Sequence, residues 1–190
     1  SVLGSFAAPA PALRADAELY RQHVAGVVTA LLTLAGIEAD PVASREHILL
    51  SNVLDSHWQR DLGLDLGGLI GAIQNPGLER IGVMELETFY PAKERFALAM
   101  RLNNLLAAPG FKAWTEGEPL DAGKLLYTAD GRPRVSILSI AHLGDAERMF
   151  FVTLLLNEVV AWMRNQPGTS SLRAILYMDE VFGFLPPVAA

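Results

Sequence analysis

The chain has 190 residues, half of them hydrophobic (51%), with 15 basic and 21 acidic side chains and a formal net charge of −6. This is enough apolar material for one ordinary domain, or a domain with an appendage. The charge balance excludes a general basic footprint for nucleic acid, and the lack of cysteine excludes disulfides, thiolate nucleophiles and cysteine metal sites.

The Ala/Pro-rich start, "SVLGSFAAPAPA", has no basic n-region and does not read as a signal peptide. It predicts an extended leading segment over 1–12. The first residue is Ser1 rather than Met, which points to a fragment or a processed product. With no targeting signal in view, the expected location is cytoplasmic.

A helix is predicted over 13–35. Asp16, Glu18 and Arg21 fall on a polar side, while Leu19, Val24, Val27, Val28, Leu31, Leu32 and Leu34 recur at helical spacing, and Gly36 is a stop. The longest mostly apolar run, Val24 to Ile37, has 14 residues. A bilayer-spanning helix needs about 20, so this run predicts a buried core helix and no membrane span. Pro41 opens the next predicted helix, which continues to Arg60. "LGGLIGAIQ", Leu66 to Gln74, is a third, ended by Asn75-Pro76. Residues 77–90 form a connection with a short extended piece. Pro91 then sits in the first turn of a strong helix closed by Pro109-Gly110. Lys93, Arg95 and Arg101 lie on it with Glu94. Without a charge block they read as a solvated face, with DNA contact the weaker reading. "FKAWTEGEPLD" reads as irregular or a short turn of helix, and "GKLLYT" is ambiguous.

The pattern changes after Asp130. "DGRPR" is a turn, and "RVSILSIA", Arg134 to Ala141, is β-branched-rich and strand-like. A long helix follows over about 145–165, with acids in its first turn and Arg164 in its last, as the helix dipole favours. "NQPGTSS" breaks it, and "LRAILYM", 172–178, is a second strand. Strand, helix, strand predicts a βαβ unit with parallel strands and a right-handed crossover.

The second strand runs into Asp179 and Glu180. Ligands of open α/β sheets gather at the carboxyl ends of parallel strands. An apolar strand followed by Asp-Glu is the Walker B pattern of nucleoside triphosphatases. There the first acid holds hydrated Mg²⁺ against the phosphates, and the second orients or deprotonates the attacking water. The bland reading is a strand ending in a solvated turn. A phosphate-binding loop, G-x-x-x-x-G-K-[ST], is not found. "GEPLDAGKL" has five residues between Gly117 and Gly123, and Leu125 follows Lys124, so it fails. "GLDLGGLIG" has no lysine and fails too.

The stretch from Lys124 to Arg164, followed by "SLRAILYMDEVFGFLPP", resembles the middle of bacterial ATPases of the HerA/FtsK superfamily, the HerA-like helicases. The likeness extends over the whole chain and is most specific from Lys124 to Pro187. Members of that family carry the phosphate-binding loop upstream, then a largely helical insert, then the strand–helix–strand with the Walker B acids. The resemblance implies a chain of α/β parentage that is mainly helical: an insert over 13–115, joined over 116–190 to a partial parallel-sheet P-loop core. It implies that Asp179 is the cofactor-binding acid on the water-mediated Mg²⁺ side, and Glu180 the catalytic one. ATP and Mg²⁺ are expected in the complete protein and neither in these residues alone, which are expected to be inactive. The partners it implies are DNA and further copies in a ring.

The remaining candidates are plain. His23, His47, His57 and His142 show no i, i+3 or i, i+4 pairing that would hold a metal on a helix. There is no G-x-S-x-G for a serine hydrolase. Trp58, Trp114 and Trp162 read as core or interface packing rather than a stacking platform for single strands. The rival to the ATPase reading is a non-catalytic helical interaction module in which Asp179 and Glu180 are structural acids.

Overall fold

The structure, a computed structural model, describes residues 8–108, 114 and 120–179. Local capping chemistry sets several of the helix boundaries. Helix α1 (Pro11–Ala15) and helix α2 (Ala17–Leu34) are separated at Asp16, whose carboxylate accepts the N–H groups of Glu18 and Leu19. The extended leading segment is thereby corrected from residue 11 onward. Pro11 has no N–H to leave unpaired and its fixed φ suits the first helical turn. Residues 1–7 lie outside the described residues. Helix α2 ends where expected: Gly36 has φ +67°, and the Ile37 N–H reaches the Leu32 carbonyl at 2.8 Å, closing a Schellman motif.

Helix α3 (Arg45–Trp58) starts four residues later than the proline at 41 predicts. The Asp40 carboxylate accepts the N–H groups of Val42 and Ala43, both at 2.8 Å, and holds them in a turn. Helix α4 (Leu66–Gln74) has the predicted bounds and is capped by Asp65, which accepts the Gly68 N–H at 2.6 Å. The connection at 77–90 holds a hairpin, β1 (Arg80–Ile81) and β2 (Met84–Glu85), antiparallel with Ile81 opposite Met84. Gly82, at φ +59°, supplies the turn conformation that a two-residue hairpin loop demands. Then come α5 (Leu86–Phe89), α6 (Ala92–Ala107), α7 (Ala122–Leu126) and α8 (Asp145–Arg164). The Glu147 carboxylate accepts the Gly144 N–H at 2.8 Å and fixes the start of α8.

The chain is mainly helical, as expected. Helix α2 packs against both α3 and α8, α3 continues onto α4, and α4 packs on α6. Val28, Leu31 and Leu32 of α2 are fully buried with Leu49, Leu50 and Trp58 of α3, and with Phe150 of α8, in one continuous core. The core therefore runs across both predicted parts of the chain.

Helix α8 stands where the βαβ reading put it. The β part around it is not formed: the predicted strands 134–141 and 172–178 join no ladder among the described residues. A strand draws its backbone hydrogen bonds from a neighbour, and parallel strands need cover on both faces. Here Ile137 is 89% exposed, Ile175 72% and Tyr177 81%. Open apolar side chains at these three positions are what a strand without its sheet neighbours would show.

Candidate functional site

The acid at 179 is reached through α7, a tight hairpin and the extended segment 172–178. After α7, Thr128 and Arg132 pair through the Thr128 N–H and the Arg132 carbonyl at 2.9 Å, and the Arg134 N–H reaches the Leu126 carbonyl at 2.8 Å. Gly131, at φ +80°, makes the turn. The Ser136 hydroxyl donates to the Leu125 carbonyl at 2.7 Å and ties down the start of the first extended segment. The Tyr127 hydroxyl donates to the Arg173 carbonyl at 3.2 Å and ties down the start of the second. Met178 packs against the core, and Asp179 follows it, exposed. Glu180 lies outside the described residues.

Among the described residues no group of three or more His, Asp or Glu side chains converges as a metal cage. Asp179 is an exposed carboxylate, and a cation bound there would be held through water. It does not suit an all-protein metal site.

The histidines are ordinary. His47 is 1% exposed, with Nε2 3.0 Å from the Thr29 hydroxyl and Nδ1 3.2 Å from that of Ser51. His23 is buried with its ring centroid 5.5 Å from Trp58. Burial pushes both imidazoles below their ordinary value. His57 bonds the Val53 carbonyl at 2.8 Å within its own helix, and His142 is exposed beyond the first extended segment. A groove of about 460 Å³ between α2 and α3 is lined by Arg14, Tyr20, Val24, His47, Ser51 and Asp55. Its polar groups serve one another: the Tyr20 hydroxyl donates to Asp55 at 2.9 Å, and burial with that carboxylate raises the phenol well above its ordinary value. The tryptophans are packing residues, as expected. Trp58 is fully buried, Trp114 sits edge-on to Phe150 at 5.6 Å, and Trp162 faces Tyr127 at 6.1 Å.

One expectation is overturned. Arg95 does not lie on a solvated face of α6. It is 6% exposed, and it donates to the Tyr90 carbonyl at 2.7 Å, the Gln74 carbonyl at 3.4 Å and Glu87 at 2.6 Å. It joins the ends of α4 and α5 to α6. The signal was in the spacing: Leu98, Ala99 and Leu102 stand three, four and seven residues on, and all are buried. Lys93 and Arg101 are exposed, as expected.

No protein-family model, no curated protein and no solved structure matches this chain.

Proposed function

We propose that these residues belong to an ATP-hydrolysing motor of the HerA/FtsK kind, in which 172–178 is the Walker B strand. In this reading Asp179 faces Mg²⁺ through water, and Glu180 orients or deprotonates the attacking water. The observation that carries it is the pair of extended segments flanking α8, with Ile137, Ile175 and Tyr177 open to solvent and an acid at the end of the second. Apolar area left in water forfeits roughly 25 cal/mol per Å². Neighbouring strands of a parallel sheet would cover it and supply the missing ladder. The bundle from α2 to α6 is then the helical insert, and the polymer moved is DNA, by a ring of subunits.

The reading requires cation and N–H donors for the phosphates. Two acids alone present only negative charge to a polyanion, so a phosphate-binding loop outside these 190 residues has to complete the site. Bound Mg²⁺ would neutralise charge on the phosphates; what this chain adds is the position of a water and a place for its proton.

The test uses the complete protein. Glu180→Gln keeps the shape of the side chain and loses the base, so it retains nucleotide binding by calorimetry and loses about 10²–10⁴-fold in phosphate release. Asp179→Asn raises the Mg²⁺ concentration needed for turnover. Wild-type turnover in Glu180→Gln sinks the assignment. The second reading, a helical interaction module, is favoured by one observation: the buried core from α2 to α8 takes no fully buried residue from the two extended segments, of which only Ile140 and Met178 pack against its edge. It predicts no turnover in any form of the protein and no phosphate-binding motif encoded ahead of Ser1.

A further inference from the structure

Helices α2 and α3 leave between them a groove of about 460 Å³. Small-molecule sites are concave, mostly apolar and roughly 300–1,000 Å³ in size. Tyr20 and Val24 of α2, both buried, and Pro41 give the groove apolar walls. Its polar side comes from the other helix. Asn52 and Asp55 of α3 and Gln59 at its C-cap stand three and four residues apart, so they share one face.

Each of these three side chains uses one polar atom and leaves an oxygen over. Asn52 donates its Nδ2 to the Ile48 carbonyl at 2.8 Å. Gln59 donates its Nε2 to Asp55 Oδ1 at 3.2 Å, and the Tyr20 hydroxyl donates to the same oxygen at 2.9 Å. Asn52 Oδ1, Asp55 Oδ2 and Gln59 Oε1 accept nothing among the described residues. The cations nearby are already paired. Arg14 meets Asp61 at 2.7 Å and donates to the Trp58 carbonyl at 2.9 Å, and Arg21 meets Glu18 at 2.6 Å. His47 is held below its ordinary value by burial and is neutral at pH 7. Asp55 is therefore the one charge in the lining with no partner of opposite sign among the described residues.

We propose that this groove is a binding site for a primary alkylammonium group, with Asp55 taking its charge, Gln59 and Asn52 accepting its remaining N–H groups, and Tyr20, Val24 and Pro41 covering its methylene stem. An ammonium carries three donors and no acceptor, the complement of three unused acceptor oxygens. A stem of methylenes lies along apolar surface while the charged head stays at the polar edge. A carboxylate or phosphate ligand would meet the same oxygens with repulsion. Two sources share this chemistry, a free amine and a lysine side chain of a partner, and the net charge of −6 favours the approach of either. The site stands on α2 and α3 alone and is independent of any role for Asp179.

The test is NMR of the whole chain at pH 7 and constant ionic strength, titrated with n-butylammonium chloride in one arm and with Nα-acetyl-lysinamide in the other. Saturable shifts are expected at amides of 17–25 and 51–59, and the arm that saturates at the lower concentration marks the source. Tetramethylammonium, which has the charge and no N–H donor, is expected not to saturate. Asp55→Asn keeps an oxygen for the Tyr20 hydroxyl and loses the charge, so it weakens binding about tenfold or more. Asn52→Ala leaves the Tyr20–Asp55 bond in place and weakens binding about two- to tenfold. Shifts that rise without saturation in both arms, saturation by tetramethylammonium at the same concentration, or wild-type affinity in both variants overturns the proposal.

Discussion

Replacing Arg95 by methionine removes a buried guanidinium from the junction of α4, α5 and α6 while keeping most of its volume. Three acceptors lose their donor: the Tyr90 carbonyl at 2.7 Å, the Gln74 carbonyl at 3.4 Å and Glu87 at 2.6 Å. Glu87 is 63% exposed and regains water, so its loss adds little. The two carbonyls end α5 and α4 beside a buried side chain, and an orphaned buried acceptor costs about 1–3 kcal/mol. Gln74 is an exposed residue and its bond is long, so its loss belongs at the low end of that range, which puts the total at about 3 kcal/mol. For a domain of this size that corresponds to a fall in Tm of about 6–12 °C. Urea unfolding at pH 7 of wild type, Arg95→Met and Glu87→Gln makes the measurement, with the m-value checked for constancy. Glu87→Gln is expected to shift the midpoint far less than Arg95→Met. A loss below about 1 kcal/mol in Arg95→Met would refute the reasoning, since it would mean that water satisfies both carbonyls.

Two further outcomes concern pH and association. His23 and His47 are held below their ordinary value, so they contribute stability above about 6.5 that is lost as pH falls toward their folded-state values. Burial raises the Glu158 carboxyl to about 6, which opposes this trend, so in a Glu158→Gln background the urea midpoint should drop between pH 7.5 and 5.5 and drop less in His47→Gln; an unchanged midpoint refutes the assignment. Open apolar segments promote self-association. Ile137→Lys with Ile175→Lys should lower the sedimentation-average mass at high concentration without moving the urea midpoint, because neither side chain belongs to the core.

The helices were legible because their signals are local. Asp65 and Asn75-Pro76 bracket α4 in the sequence as they do in the fold, and Gly36 ends α2 through bonds that span only five residues. The start of α3 was misread by four residues because a side chain, Asp40, competes for the backbone donors that a helix would use. Burial of Arg95 was half legible. Its spacing from Leu98, Ala99 and Leu102 puts it on the inner face, but its acceptors come from Gln74 and Tyr90, which only packing brings together. The contact of Asn157 with Gly26 is likewise a property of the seam between α2 and α8, not of α8. The segments 134–140 and 172–178 mark the limit most clearly. Their composition is that of strands, yet a strand exists only when another backbone offers it donors and acceptors, and that is decided by tertiary structure.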